Sequence, residues 1–242
     1  MIGLVVVSHS YALARAAIQL ALDMVPADAR PPVLPAAGLE AGHFGTDATA
    51  IAAALAEADS GDGVLVLLDL GSAVMSAEMA VEFLDPDAAA RVRITAAPLV
   101  EGLVAAVVTA ASGADLDACE AEALRGLDPK VAHLGDGVAA APVAKAAGEA
   151  VVFRTVVELT QGLHARPAAA LVAALTGFDA AVEVVNLTDD PEVAVDARSP
   201  MGLLALGVEP GHELEFRMTG PDAAAARDAV ADLTARNFGE RR

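Results

Sequence analysis

At 242 residues the chain is long enough for two ordinary domains of roughly 100 to 150 residues each. Its 34 acidic and 15 basic side chains give a formal charge of −19, which repels phosphate backbones and anionic lipid surfaces, so neither nucleic-acid nor membrane binding is expected. With 55% hydrophobic but only 3% aromatic residues, the cores must be built from Ala, Val and Leu, and the single Cys119 allows no internal disulfide, so a reducing cytoplasm is expected.

The first stretch, "MIGLVVVSHSYALA", is uncharged and ends like a cleavage site, but it lacks a basic start and His9 interrupts its apolar run. It reads as a strand, residues 2–8, with a helix from Tyr11. "RPPVLPAAG" is a poorer strand, suited to a sheet edge. "GVLVLLD" (63–69) and "RVRITAA" (91–97) are further strands, followed by helices from Ala73 and Leu99. This alternation predicts an α/β domain over residues 1–128, with a parallel sheet covered on both faces. Residues 129–150 mix Ala, Gly and Pro without sustained period and read as a linker. As a random coil those 22 residues would span roughly 25 Å. Residues 151–242 have another rhythm: strand 151–158, helix from about Arg166, strand 181–187, a turn at "TDDPE", strand 192–197, a short helix at 200–206, strand 212–218 and a final helix from Asp222. That order, βαββαβα, predicts an α+β open-faced sandwich with helices on one side of the sheet.

Two histidines stand where chemistry is expected. In "QGLHARPAAALV", Pro167 suits the first turn of a helix, which puts His164 and Arg166 at a helix N-terminus, where free backbone N–H groups and the dipole attract anions. Arg166 adds a forked donor for phosphate. Imidazole ordinarily titrates near 6.5, so a histidine offers a neutral nitrogen nucleophile near pH 7. The same residue types also fit an ordinary capping histidine. His9 follows the first strand, and Asp69 ends the strand at 63–69; side by side, the carboxylate would orient the ring. The Gly71-Ser72 turn offers backbone donors to a phosphate. On spacing alone this pair is suggestive only.

His43, His133 and His212 lack metal-ligand spacing, so no metal or other cofactor is expected. Cys119 lies in the acidic stretch "DLDACEAEAL", where nothing activates a thiol. Glu78 and Glu101 read equally as solvated groups. No nucleotide-binding glycine loop is present in the sequence.

The wording of the motifs is more specific than their spacing. "GLHARPAAALV" with "VDARSPMGLLALGVEPGHELEFRMTGPDAAAARDAV" closely resembles the HPr family of histidine phosphocarriers. That resemblance implies that His164 accepts phosphate from enzyme I, charged in turn by phosphoenolpyruvate, with Arg166 in support. It also matches Ser199 to the family's regulatory serine. Pro200 departs from the usual aliphatic residue there, and Ser199 serves equally as an N-cap with Pro200 at N1. "VVVSHS", "FGTDATAI", "DLGSAVMSAEMAVEFL" and "APLVEGLVAAVVTAASGADL" resemble the mannose-type enzyme IIA domain, and more closely the phosphotransfer subunits of phosphoenolpyruvate-dependent dihydroxyacetone kinases. "ALARA" departs from the acidic-glycine ending usual after this histidine.

This second resemblance implies that His9 is a further phosphohistidine, Asp69 its partner, and Thr46, Gly71 and Ser72 the lining of the phosphate site. It implies a homodimer through the first domain. The phosphorylated nitrogens would be Nδ1 of His164 and Nε2 of His9. The implied route runs from enzyme I to His164, to His9, and then to ADP on the nucleotide-binding subunit, whose ATP phosphorylates dihydroxyacetone on a third subunit. Relatives often append a truncated enzyme I segment; none is read in these 242 residues, so enzyme I is expected as a separate donor. Two alternatives stay open: a mannose-type sugar-permease IIA component, or a regulatory module switched by phosphorylation.

Overall fold

The computed structural model describes residues 1–39, 42–134 and 150–239. Two compact units divide the chain, Met1–Leu127 and Asp128–Arg242.

In the first unit, strand β1 (Gly3–Ser8) is buried along its whole length, as a strand covered on both faces must be. Helix α1 (Tyr11–Leu22) leads to β2 (Val33–Ala37), and α2 (Ala48–Ala58) to β3 (Val64–Leu68). Next come α3 (Gly71–Glu82), the single turn α4 (Pro86–Ala89), β4 (Val92–Ile94), α5 (Leu99–Ala111) and α6 (Leu116–Leu124). The strands form a parallel sheet in the order β2-β1-β3-β4. The Pro-rich segment is indeed an edge strand, with Pro35 opposite Val6. Helix α1 packs against α5, and α2 against α3. Ala73, Ala77 and Ala80 of α3 are fully buried, so small side chains let this helix approach the sheet closely. Because β1 connects outward to β2 while β3 lies on its other side, the strand order reverses between β1 and β3. In such sheets that crevice, at the carboxyl ends of the strands, is where ligands bind.

The second unit begins with a difference from the linker expected over 129–150. Residues Asp128–Leu134 form a helix, α7, started by an acidic residue and an early proline, a local signal too short for periodicity to reveal. The rest of that linker, 135–149, lies outside the described residues. Strand β5 (Val151–Val156) is followed by α8 (Ala165–Leu175), β6 (Ala181–Asn186), β7 (Asp190–Asp196), α9 (Pro200–Ala205), β8 (Glu213–Thr219) and α10 (Ala223–Ala235). The antiparallel sheet runs β5-β8-β6-β7. Its helix-facing side carries Phe153 and Phe216, 6.2 Å apart, under α10. On the opposite side the Glu215 carboxylate accepts from Arg154 Nε and Arg217 Nε, each at 2.7 Å.

Buried carboxylates in both units hold their charge through such partners. Asp59 lies below its ordinary value because the Arg91 guanidinium donates to it. Burial pushes Glu215 upward, but Arg217 and Arg154 outweigh it and leave it lowered. A depressed carboxylate stabilises the fold above its unfolded value, about 3.9 to 4.3, and that contribution is lost as pH falls through the folded value. Urea midpoints are therefore expected to hold level from pH 7 to about 5 and to fall steadily below about 4. A midpoint unchanged at pH 3 would contradict this assignment.

Candidate functional site

The first candidate site is built where β1 and β3 end side by side, with Val7 opposite Leu68. One residue past the end of each strand, His9 and Asp69 meet: His9 Nδ1 lies 3.0 Å from Asp69 Oδ1. The carboxylate is held by four donors. Oδ1 also accepts from Leu70 N at 2.7 Å, while Oδ2 accepts from His9 N and from Ser8 Oγ, both at 2.8 Å. Burial pushes Asp69 upward, but the hydrogen bonds from the His9 ring, the His9 backbone, Ser8 and Leu70 outweigh it, so the carboxyl stays below its ordinary value and ionised. An ionised carboxylate only accepts, so the proton between it and the ring belongs to Nδ1. In the neutral ring this leaves the lone pair on Nε2, which lies 3.0 Å from the Ser72 hydroxyl and can accept from it.

Two helices start at this point. Ser10 caps α1, accepting from Leu13 N at 3.3 Å, and Gly71 and Ser72 open α3. Their first-turn N–H groups and positive dipole ends suit an anion beside Nε2. Gly45 N donates to His9 O at 3.0 Å, with Gly45 at φ +152°, a backbone conformation that a side chain would strain. Thr46 is not bonded to the ring; its hydroxyl pairs with Ser76 Oγ at 2.7 Å. The structure thus gathers His9, Asp69 and Ser72, puts Gly71 at the helix start, and pairs Thr46 with Ser76 of the same helix.

The second candidate site is the start of α8. His164 occupies the N-cap position in extended conformation, yet its side chain accepts no bond from the helix, so the ring is not an ordinary cap. Gly162 shapes the approach: at φ +66°, a Cβ would lie 2.0 Å from Val208 O, and Leu163 N donates to that oxygen at 2.9 Å. Arg166 is exposed in the first turn, and Pro167 is third in the helix, where its missing N–H costs no intrahelical bond. Ser199 is 6% exposed and caps α9, accepting from Gly202 N at 2.9 Å, with Pro200 at the first helical position. Its hydroxyl is committed to that helix start.

The comparisons with known proteins follow the same division. Residues 3–120 match the family described as PTS system fructose IIA component, and residues 151–236 the PTS HPr component phosphorylation site. Across 99% of its length the chain is 39% identical to the PEP-dependent dihydroxyacetone kinase phosphoryl donor subunit DhaM of Klebsiella michiganensis, and 37% identical to DhaM of Escherichia coli K12. The chain joins a PTS IIA domain to an HPr domain. It covers 51% of each of those DhaM proteins, about half their length. A crystal structure of HPr-C-His from Thermoanaerobacter tengcongensis is 32% identical over 38% of this chain and 99% of its own, with a TM-score of 0.35. Among the described residues, no helix is long and apolar enough to cross a membrane and no cluster of ligands suits a metal ion. Burial pushes the Cys119 thiol up to about 12, which leaves it unreactive.

Two contributors escaped sequence reasoning. Ser8 was read as the end of an apolar strand, although a hydroxyl closing a run of four valines and leucines is itself a sign of a buried polar partner. Gly45 acts through its backbone, which residue type does not announce.

Proposed function

We propose that the chain is a phosphohistidine relay serving a phosphoenolpyruvate-dependent dihydroxyacetone kinase. His164 Nδ1 takes a phosphoryl group from enzyme I, with Arg166 and the α8 N-terminus screening its charge. His9 Nε2 then attacks that phosphorus: the Nε2–P bond forms, the bond to His164 breaks, and its electron pair returns to the His164 ring. Aligned imidazoles need little beyond positioning and electrostatic support for this exchange. Ser72 and the opening of α3 receive the phosphoryl oxygens on His9. From there the group passes to ADP on the nucleotide-binding subunit, and the ATP formed serves dihydroxyacetone on the third, within glycerol metabolism in the cytoplasm. The observation that carries the reading is the fully hydrogen-bonded Asp69, which fixes the Nδ1–H tautomer and leaves Nε2 as the nucleophile. The 36–39% identity to DhaM phosphoryl donor subunits supports the choice of acceptor.

The first domain works as a homodimer in this reading. Protein contact near the site is supported by Met75 and Met79 of α3 and Phe83 at its C-cap, spaced four residues apart and 72%, 52% and 57% exposed. Reconstitution tests the whole: with phosphoenolpyruvate, enzyme I and the two kinase subunits, the chain is expected to support catalytic turnover of dihydroxyacetone. Stoichiometric phosphorylation without turnover would point to a regulatory module. Delivery to an enzyme IIB protein would point to a sugar permease.

A further inference from the structure

We propose that Ser8 is a positioning residue that keeps the phosphorylated His9 ring protonated on Nδ1, and so keeps its phosphoryl group transferable. This rests on His9 being a phosphohistidine. When the phosphoryl group leaves Nε2, the electron pair of the N–P bond returns to the ring. If Nδ1 carries its proton, the product is neutral imidazole and no proton has to move. If Nδ1 has lost it, the leaving group is an imidazolate, a far stronger base and a far poorer leaving group. Whatever holds the proton on Nδ1 therefore sets the transfer rate.

Asp69 is the group that holds it, and Ser8 governs Asp69 from below. The Ser8 hydroxyl is completely buried. Its oxygen accepts from Ser10 N at 3.0 Å, which turns its single proton toward the carboxylate, 2.8 Å away. The competing acceptor, Ser10 O, is farther at 3.2 Å. Of the four donors on Asp69, two are backbone groups fixed by the strand ends and one is the reacting ring itself. Ser8 is the one supporting side chain. Its bond to Oδ2 aims Oδ1 at the ring and favours the charged carboxylate, since hydrogen bonds to ionised groups are stronger than neutral ones. Without it, a buried anion loses a donor that solvent cannot readily replace. The same loss strands the Ser10 N–H at the start of α1.

The test uses the full chain, phosphorylated on His9 with phosphoramidate so that enzyme I is not required, with the ring labelled with 15N. Ser8→Ala is expected to slow loss of phosphate from His9 to an acceptor about tenfold at pH 8, to bring the alkaline fall in rate to lower pH, and to shift the Nδ1 resonance toward the deprotonated position. Ser8→Thr, which keeps the hydroxyl, is expected to restore all three. A role in folding alone would lower the urea midpoint and leave the pH profile and the resonance unmoved, and that result would overturn the proposal. If Ser8→Ala does not fold, wild type decides: an Nδ1 proton absent from the phosphorylated ring at pH 8 overturns it, and one retained there while free phosphohistidine has lost its own upholds it. If His9 takes no phosphate from either source, the relay falls together with this inference; if it does and Ser8→Ala is silent, only the inference falls.

Discussion

Incubated with enzyme I and phosphoenolpyruvate, the wild-type chain is expected to gain two acid-labile phosphoryl groups, His9→Ala one, and His164→Ala none. Each number has a separate cause. His164 stands at a helix N-terminus with an exposed arginine two residues on, so a donor protein reaches it without disturbing the fold. His9 is 25% exposed, between two helix starts, and a donor must present its phosphorus along the Nε2 direction beside Ser72. The tether keeps one site at a high effective concentration around the other, which an untethered donor cannot match when dilute. Intact mass under non-acidic conditions reads the outcome directly. Full charging of His9 in His164→Ala, with no HPr added, would show that the fused carrier is dispensable and would overturn the relay. Since both residues are partly exposed and neither fills a core, these variants should fold normally, so a null result is chemical and not structural.

How far the sequence reached depends on which kind of contact does the work. Side chains at strand ends were legible: an apolar strand followed by histidine, and another ending in aspartate, place both groups at the carboxyl edge of a parallel sheet, and the structure puts them 3.0 Å apart. The Gly71-Ser72 turn was read as a source of backbone donors, and there the structure adds a side-chain contact, the Ser72 hydroxyl on Nε2. Thr46 was placed by motif wording alone. Its hydroxyl instead satisfies Ser76, and the loop touches His9 through Gly45, because a backbone N–H carries no residue-specific signal. Helix α2 was not read either, although Asp47 caps it through Thr49 N and Ala50 N and its buried positions 51, 55 and 58 repeat at helical spacing. Alanine on seven of its eleven positions blurred that period, whereas α7 is too short to show one. The second domain was legible almost element by element, since β5 alternates inward and outward residues and the turns are marked by glycine, proline and aspartate.

Asp69→Asn is expected to slow phosphoryl transfer through His9 by about 10²- to 10⁴-fold while leaving the affinity for the donor protein nearly unchanged. The carboxylate faces four donors, and an amide can satisfy only those on its oxygen side. With the amide nitrogen toward Oδ2, it meets His9 N–H and the Ser8 hydroxyl, donor against donor, in a buried place. Turned the other way, the nitrogen confronts the ring and donates to Nδ1, which drives the ring proton to Nε2 and removes the lone pair that attacks phosphorus. Either orientation also deletes the negative charge that balances the ring once it carries a phosphoryl group. Rapid-quench transfer from phosphorylated HPr separates the maximal rate from the half-saturating concentration, and ring 15N shifts report the tautomer. A rate within threefold of wild type, with the proton still on Nδ1, would mean that the backbone of the loop orients His9 by itself. The carboxylate would then be a structural cap on the strand ends, and the tautomer argument for Nε2 would have to be abandoned.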